Sequence, residues 1–562
     1  MILLWLIVWL AVGGVVAWVA GRINDSWPRW ISLGVLAVGL GLVIAIWAHT
    51  PGLVQNAPDS PWLIQVDRPW IPQLGISLLL RMDGLSVLLV ALVLFMGIMA
   101  VIASWTGIEE RVGFFHFNLL WSVAALTGVF VALDLILFYI FYEIMLVPLY
   151  FMIGIWGHEN RVYATLKFFL FTQLSGLLML LAILGLYVVH GQVTGLYTFN
   201  YFELLGTPIA PGIAFWFMLG FFAAFAVKLS VVPVHTWLPD AHTQAPTAGS
   251  VILAGLVLKA GAYGMLRFVV PLFPEAALSF APIAMLLGVI GIVYGAVLAF
   301  AQTDFKRLVA YTSVSHMGFV LLGVFSWNEL AQQGAVMVML SHGISTGALF
   351  VLVGLLQDRM HTRELSRMGG LWSVVPHMGN VVLVFALASL ALPSMGNFVG
   401  EFLTLVGAYL ANIPLVIVAT VGFIFATVYA LWMMQRIFGG ANTEGWQIPD
   451  LRLREAIMMG LLIAVIFWMG LYPQPILNTA APALATLREY VLETLPLQAT
   501  APSGEQVFAT PSGSGTWIAH VRAGVTPALT DSHPPGVHLA AERVDVTPAP
   551  GWSPKAEEGR LP

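Results

Sequence analysis

Six ionisable side chains lie inside long apolar stretches of this 562-residue sequence. They are two acids, two lysines and two histidines: Glu143, Lys228, Lys259, His316, His342 and Glu401. Such a residue costs about 2.5–3.5 kcal/mol at the centre of a membrane helix, so it usually faces a bundle interior and marks an ion path. A carboxylate that approaches or leaves a buried lysine changes how firmly the lysine holds its proton. A row of coupled sites therefore predicts proton transfer, with static ion pairs and interhelical hydrogen bonds as the alternative.

The elements that must position these residues are membrane helices. Hydrophobic residues make up 59% of the chain and charged residues only 9%, against about 25% in soluble domains. Apolar runs of spanning length recur, which predicts an all-α polytopic membrane protein with a long extramembrane loop at 49–82. We name the predicted helices spans 1 to 14: 1–20, 30–48, 84–104, 112–131, 134–156, 166–189, 213–232, 248–270, 281–301, 305–325, 333–356, 378–411, 413–437 and 456–472.

Two of these spans are predicted to be discontinuous. Pro233 interrupts span 7, and a polar stretch from His235 to Ser250 follows it. Span 12 contains the breaking sequence Leu392–Asn397. Paired broken helices in two halves of a transporter indicate an ion site, although each break could be an ordinary proline kink. The two broken spans, 7 and 12, are five spans apart. Because five is odd, they cross the membrane in opposite directions, which predicts two inverted five-helix repeats.

The predicted organisation has five parts. Spans 1–3 occupy 1–111, the repeats of spans 4–8 and 9–13 occupy 112–273 and 274–437, and span 14 with its flanks occupies 438–497. The tail, 498–562, is rich in Pro, Ala and Gly and is expected to be disordered, with contact to a neighbouring protein as the alternative. Span 1 begins without a preceding Lys or Arg, so we expect a retained helix rather than a signal peptide.

The basic residues predict that both termini lie outside the cytoplasm. One set of loops and span ends carries thirteen of them: Arg22, Arg29, Arg111, Arg161, Lys167, Lys306, Arg307, Arg359, Arg363, Arg367, Arg436, Arg452 and Arg454. The opposite side, before the tail, carries four: Arg68, Arg81, Arg267 and Arg488.

Several chemistries are disfavoured by the sequence. The absence of cysteine excludes disulfides and cysteine-ligated iron–sulfur clusters. There is no Walker A motif, and a net charge of -5 gives no basic footprint for nucleic acid. A metal site at His235, Asp240 and His242 fits no recognised motif, and haem ligation by His316 and His342 lacks a further histidine pair. No metal or cofactor is therefore expected in this chain.

Four stretches resemble the antiporter-like subunits of respiratory complex I, and the M-type subunits most closely. They are FYEIMLVPLYF (141–151), VPVHTWLPDAHTQAPTAGS (232–250), QTDFKRLVAYTSVSHMG (302–318) and GNFVGEF (396–402). The resemblance covers about residues 1–495 and implies fourteen helices with two inverted repeats. Glu401 favours the M type, because the L- and N-type subunits and the Mrp antiporter subunits are expected to carry Lys there.

The resemblance also implies roles and partners. Glu143 and Lys228 would form the pair of an inlet half-channel, and Lys259 would be the central lysine. His316 and His342 would link the halves, and Glu401 would end the axis on the exit side. The chain would be a proton-translocating subunit in a bacterial inner membrane, while FMN, iron–sulfur clusters and quinone would belong to partner subunits. An Mrp-type sodium/proton antiporter subunit and a purely structural scaffold are the alternatives.

Overall fold

A computed structural model describes residues 1–49 and 61–494, and, as backbone alone, three strands between 498 and 522. Within these residues, thirteen helices are long and apolar enough to cross a bilayer. A helix satisfies its own backbone hydrogen bonds, as an apolar solvent requires. Spans 1–11, 13 and 14 are Ile2–Ala20, Trp27–Ala48, Gly84–Ala103, Val112–Val131, Leu135–Trp156, Arg161–Thr194, Pro211–Leu229, Thr247–Leu272, Pro274–Phe300, Phe305–Phe325, Glu329–Met360, Ile413–Ile437 and Leu453–Leu471.

Span 12 is the broken helix that the sequence predicts. Its two halves are Pro376–Ser389 and Gly396–Ala411. Between them Ala391 and Ser394 adopt left-handed backbone conformations with φ of 58° and 86°. With this divided span, the prediction of about fourteen membrane helices is confirmed.

Span 7 is also interrupted where expected. Its first half ends at Leu229, and Ser230 follows with a φ of 66°. The chain then crosses Pro233 and forms the short helix Trp237–Gln244. The Trp237 indole donates a 2.8 Å hydrogen bond to the Val227 carbonyl in the last turn before the break. Protein therefore surrounds the irregular backbone, as membrane depth demands.

The two five-helix repeats share one packing pattern. In the first, span 4 packs on span 5, span 5 on span 6, span 6 on span 7, and span 7 on span 8. In the second, spans 9 to 13 pack on one another in the same order. The two five-helix repeats predicted from the sequence are therefore found in the packing, and their inversion rests on the odd offset of five spans. Residues Met1–Leu495 form one compact unit, and the boundaries of the five predicted parts stay predictions.

A β-hairpin stands where the sequence predicts a loop. Strand β1, Trp62–Ile71, pairs antiparallel with β2, Ile76–Asp83. Gly75 makes the turn with a φ of 69°, and a side chain there would meet the Tyr197 carbonyl. The prediction of a loop over 61–82 was wrong because a short hairpin with mixed burial lacks a clear alternating pattern. The remainder of that predicted loop, 50–60, lies outside the described residues.

The other elements are short or lie near the ends. Besides the short helix Trp237–Gln244, these elements are two helices, Tyr201–Leu204 and Gln474–Thr494, and three 3₁₀ turns, Pro72–Leu74, Leu365–Arg367 and Leu371–Ser373. The helix Gln474–Thr494 was not predicted, and it packs on spans 3 and 11. In the tail, β3 (Gln498–Thr500), β4 (Gln506–Pro511) and β5 (Trp517–Arg522) form an antiparallel sheet. The expected disorder of the tail stays a prediction, and its other residues lie outside the described ones.

Candidate functional site

Glu143 and Lys228 face each other in the first repeat. Lys228 is fully buried near the end of the first half of span 7. Glu143 is half-buried in span 5, and its carboxylate interacts electrostatically with Lys228. Among the described residues they make no direct ion pair within 4.0 Å. The Lys228 ammonium instead lies 4.7 Å from the centre of the Tyr142 ring. The pair is thus coupled without being locked together.

The helix that carries Glu143 is locally irregular. Span 5 consists of Leu135–Ile144 and Leu146–Trp156, which meet at Met145, two residues after the acid. Pro148 cannot donate a backbone hydrogen bond to the preceding turn. On the neighbouring span 6, Gly176 leaves room for the Glu143 carboxylate, which occupies the place a side chain would take. This close approach holds the acid between spans 5 and 6.

Gly176→Ala is expected to displace the Glu143 carboxylate and lower proton pumping severalfold in the assembled complex. The added methyl would overlap the carboxylate, so the acid would take another rotamer. Dye-monitored acidification of proteoliposomes measures the effect. The matched control is Gly41→Ala, where nothing lies within 4 Å of the new Cβ. Equal pumping by both variants would contradict the role given to the close contact between Gly176 and the Glu143 carboxylate.

The second group starts at Lys259 in span 8. Its ammonium donates to the Ala254 carbonyl at 2.6 Å and lies 2.8 Å from Nδ1 of His342. Span 8 has π-helical turns at Leu253–Val257 and Met265–Val269, on either side of the helical segment with Lys259. Such turns inside a helix are often found at functional sites. Here the first turn provides the carbonyl that holds the lysine.

His342 leads to His316 and Glu401. The two imidazole rings have centroids 5.4 Å apart. Nδ1 of His316 lies 2.6 Å from Oε1 of Glu401, and its Nε2 lies 3.2 Å from the Ser389 hydroxyl. All these side chains are buried. Spans 8, 11, 10 and 12 thus bring Lys259, His342, His316 and Glu401 into one continuous row.

The six predicted residues therefore fall into two groups. Glu143 and Lys228 form one, and the row from Lys259 to Glu401 forms the other. Spans 7 and 8 pack closely between them, since a Cβ at Gly261 would lie 2.7 Å from the Leu229 amide nitrogen. In the described part of the chain, no hydrogen bond joins Lys228 to Lys259. A proton passing between the groups would need water.

Two further buried residues adjoin the row. The sequence places Lys306 among loop cations, but the structure buries it completely at the start of span 10, with its ammonium 2.5 Å from the Ala245 carbonyl. His242, in the short helix after the span 7 break, interacts electrostatically with Lys306 and Lys259. Neither of its ring nitrogens has a hydrogen-bond partner in the described residues.

A polar cavity has one wall residue that interacts with Lys306. Its volume is about 700 Å³, and Asp358 lies in its wall. Asp358 interacts electrostatically with Lys306. This connection is not visible in the sequence, because Asp358 and Lys306 are separated in the chain and meet only when spans 10 and 11 pack.

The metal and haem alternatives find no support in the geometry. The carboxylate of Asp240 pairs with Lys167 at 2.6 Å and with Arg307 at 3.6 Å, so its charge is already matched. Both ring nitrogens of His316 are engaged by protein groups. Within residues 1–49 and 61–494, no three His, Asp or Glu side chains cluster as metal ligands would.

The fold and the site together define a polytopic membrane protein of the antiporter-like class. The family described as "NADH:quinone oxidoreductase/Mrp antiporter, TM" matches residues 132–427. NADH-quinone oxidoreductase subunit M of Pseudomonas aeruginosa is 50% identical over 501 residues, covering 87% of this chain and 98% of the relative. Subunit M of Escherichia coli K12 is 49% identical over 504 residues, covering 88% and 99%. The chain belongs to the NADH:quinone oxidoreductase/Mrp antiporter family, as one of its M-type subunits.

Solved structures agree with this assignment. A chain of respiratory complex I from Thermus thermophilus with bound NADH matches with a TM-score of 0.79 and 31% identity, covering 87% of this chain and all of that one. A chain of the Mrp complex from Dietzia sp. DQ12-45-1b matches with a TM-score of 0.74 over 87% of this chain and 99% of that one. At 22% identity, the second match supports the fold alone.

Proposed function

We propose that this chain translocates protons within NADH-quinone oxidoreductase through its buried acids, lysines and histidines, while partner subunits carry the electrons. The observation that carries the proposal is the buried row of Lys259, His342, His316 and Glu401. Each neighbouring pair is joined by a hydrogen bond of 2.6–2.8 Å or by rings with centroids 5.4 Å apart. Proton acceptors placed this close are coupled, so protonation of one changes the next.

The row has the atoms needed for stepwise transfer. A Lys259 ammonium can give a proton to Nδ1 of neutral His342, which frees the lysine to accept another. His342 then releases a proton from Nε2, which has no protein partner among the described residues. His316 passes a proton from Nδ1 to the Glu401 carboxylate, with which it shares a hydrogen bond. Water would bridge the two imidazoles, since their rings are not directly bonded.

Glu143 and Lys228 serve as the inlet pair in this proposal. No direct bond joins Glu143 to Lys228. A small movement of span 5 therefore changes the electrostatic field at Lys228 and with it the proton affinity of the Lys228 amine. Moving one charge against 100 mV costs about 2.3 kcal/mol. The chain has no redox chemistry of its own in this scheme, so the driving energy arrives through contacts with neighbouring membrane subunits.

The surroundings of the chain follow from the same proposal. FMN, iron–sulfur clusters and quinone are held by partner subunits, and neighbouring antiporter-like subunits contact this one. The excess of basic residues on one face supports an inner-membrane orientation with both termini in the periplasm.

Sodium tests separate this function from that of an Mrp-type antiporter subunit. Purified complex in proteoliposomes is expected to acidify the lumen on addition of NADH and quinone at the same rate in sodium-free and sodium-containing buffer. The physical reason is that the row consists of an ammonium, two imidazoles and a carboxyl, and each of these groups gains and loses protons. Loss of pumping without sodium would contradict the proposal.

A further inference from the structure

A polar pocket lies where spans 1 and 4 meet, far in sequence from the proton row. Its volume is about 310 Å³, and it is lined by residues from the end of span 1 and the start of span 4: Trp18, Gly21, Arg22, Asp25, Arg111, Val112, Gly113 and Phe114. Both helices end here, so the pocket lies at the level where the bilayer core gives way to its headgroups.

Two glycines bring the helix ends into backbone contact. A Cβ at Gly21 would lie 2.6 Å from Cα of Gly113. A Cβ at Gly113 would in turn lie 2.8 Å from the Trp18 carbonyl oxygen. The pocket is therefore built by tight packing of two spans and not by a loose loop.

Two arginines supply unmatched positive charge. Both Arg22 and Arg111 are exposed, and neither side chain forms an ion pair or hydrogen bond with another described residue. The Arg22 guanidinium lies over the Trp18 ring, 5.5 Å from its centre. Guanidinium groups bind phosphate oxygens in a planar, two-pronged manner, and Trp is typical of the headgroup region.

Asp25 lines the same pocket and has no side-chain partner in the described part of the chain. Two cations and one anion thus face one small space. A simple anion would use only the arginines and would be repelled by the carboxylate. A ligand with a phosphate and an ammonium group would match all three charges.

Aromatic and aliphatic side chains form an apolar surface beside the pocket. The Trp18 ring contacts Phe114 and Phe117 at centroid distances of 5.6 and 5.3 Å. Val15, three positions before Trp18 and on the same face of span 1, is also exposed. Acyl chains attached to a headgroup in the pocket would therefore run along an apolar surface.

From these features we infer that the pocket binds a phosphatidylethanolamine, with its phosphate between Arg22 and Arg111 and its ammonium group at Asp25. The lipid would cover the junction of spans 1 and 4. This site is independent of the proton row and does not rest on the proposed function.

Native mass spectrometry of the purified full-length chain with added phosphatidylethanolamine tests this inference. The double variant Arg22→Gln/Arg111→Gln is expected to bind this lipid at least about tenfold more weakly, because two charge-assisted contacts are lost. The control is Arg436→Gln. Arg436 is also exposed and lies over a tryptophan, Trp432, at 5.6 Å, but it belongs to span 13 and not to this pocket. Equal binding by the double variant and the control would overturn the site.

Asp25→Asn tests the identity of the headgroup. The wild-type chain is expected to prefer phosphatidylethanolamine to phosphatidylglycerol, and the variant should lose this preference while still binding phospholipid. A wild-type preference for phosphatidylglycerol, or an unchanged preference in the variant, would overturn the assignment of the ammonium group. Displacement of the lipid by millimolar inorganic phosphate would overturn the choice of a lipid ligand.

Discussion

Replacing Glu143 with Gln is expected to lower NADH-driven proton pumping at least about tenfold while the complex still assembles. A positioned proton-transfer group contributes about 100-fold or more to a proton step. Gln has nearly the same shape as Glu but cannot ionise, so it keeps the packing beside Gly176 and removes the charge that acts on Lys228. Acidification of proteoliposomes measures pumping, and the amount of intact complex after mild-detergent purification measures assembly.

The matched control for this variant is Glu275→Gln. Glu275 is an exposed acid in the first turn of span 9 and takes no part in either buried group. Glu143→Asp keeps the charge on a shorter side chain and should retain more pumping than Gln. If Glu143→Gln pumps at the rate of Glu275→Gln, the inlet role of the acid is wrong.

Lys259→Met is expected to have an effect of the same size or larger. Lys259 is the first member of the continuous row, and its ammonium contacts both the Ala254 carbonyl and His342. Met fills a similar volume but carries no transferable proton. His342 would therefore lose the Lys259 ammonium that donates a proton to it. Pumping and assembly are measured as for Glu143.

Leu258→Met controls for packing in the same helix. Leu258 is also fully buried, and a Leu-to-Met exchange usually costs less than about 1.5 kcal/mol because it conserves volume. This control introduces the same residue type one position away without touching the row. If Lys259→Met pumps protons as fast as Leu258→Met, Lys259 takes no part in the proton path.

The sequence was most informative about the membrane helices. Length and hydropathy are local properties, so spans such as 84–104 and 305–325 could be predicted within a few residues. Pro233 and Pro393 stand at the two breaks, where proline removes a backbone donor and clashes with the preceding turn. The high cost of a buried charge likewise singled out Lys228 and Glu401 before any partner was known.

The connections between residues could not be predicted from local pattern. His316 and Glu401 are 85 positions apart, and their contact depends on how spans 10 and 12 pack. Lys306 looked like a loop cation because the sequence does not reveal that the Ala245 carbonyl receives it. The π-helical turns around Lys259 also lack a sequence signature, since Leu253–Val257 resembles any apolar helix.

The central claim is that Glu143 and Lys259 act on one proton path, and the double variant Glu143→Gln/Lys259→Met tests it most directly. Steps in series do not multiply when both are slowed. Pumping by the assembled double variant is therefore expected to lie within about twofold of the slower single variant. A rate reduced by the product of the two single effects would show that the residues act independently and would contradict a shared path.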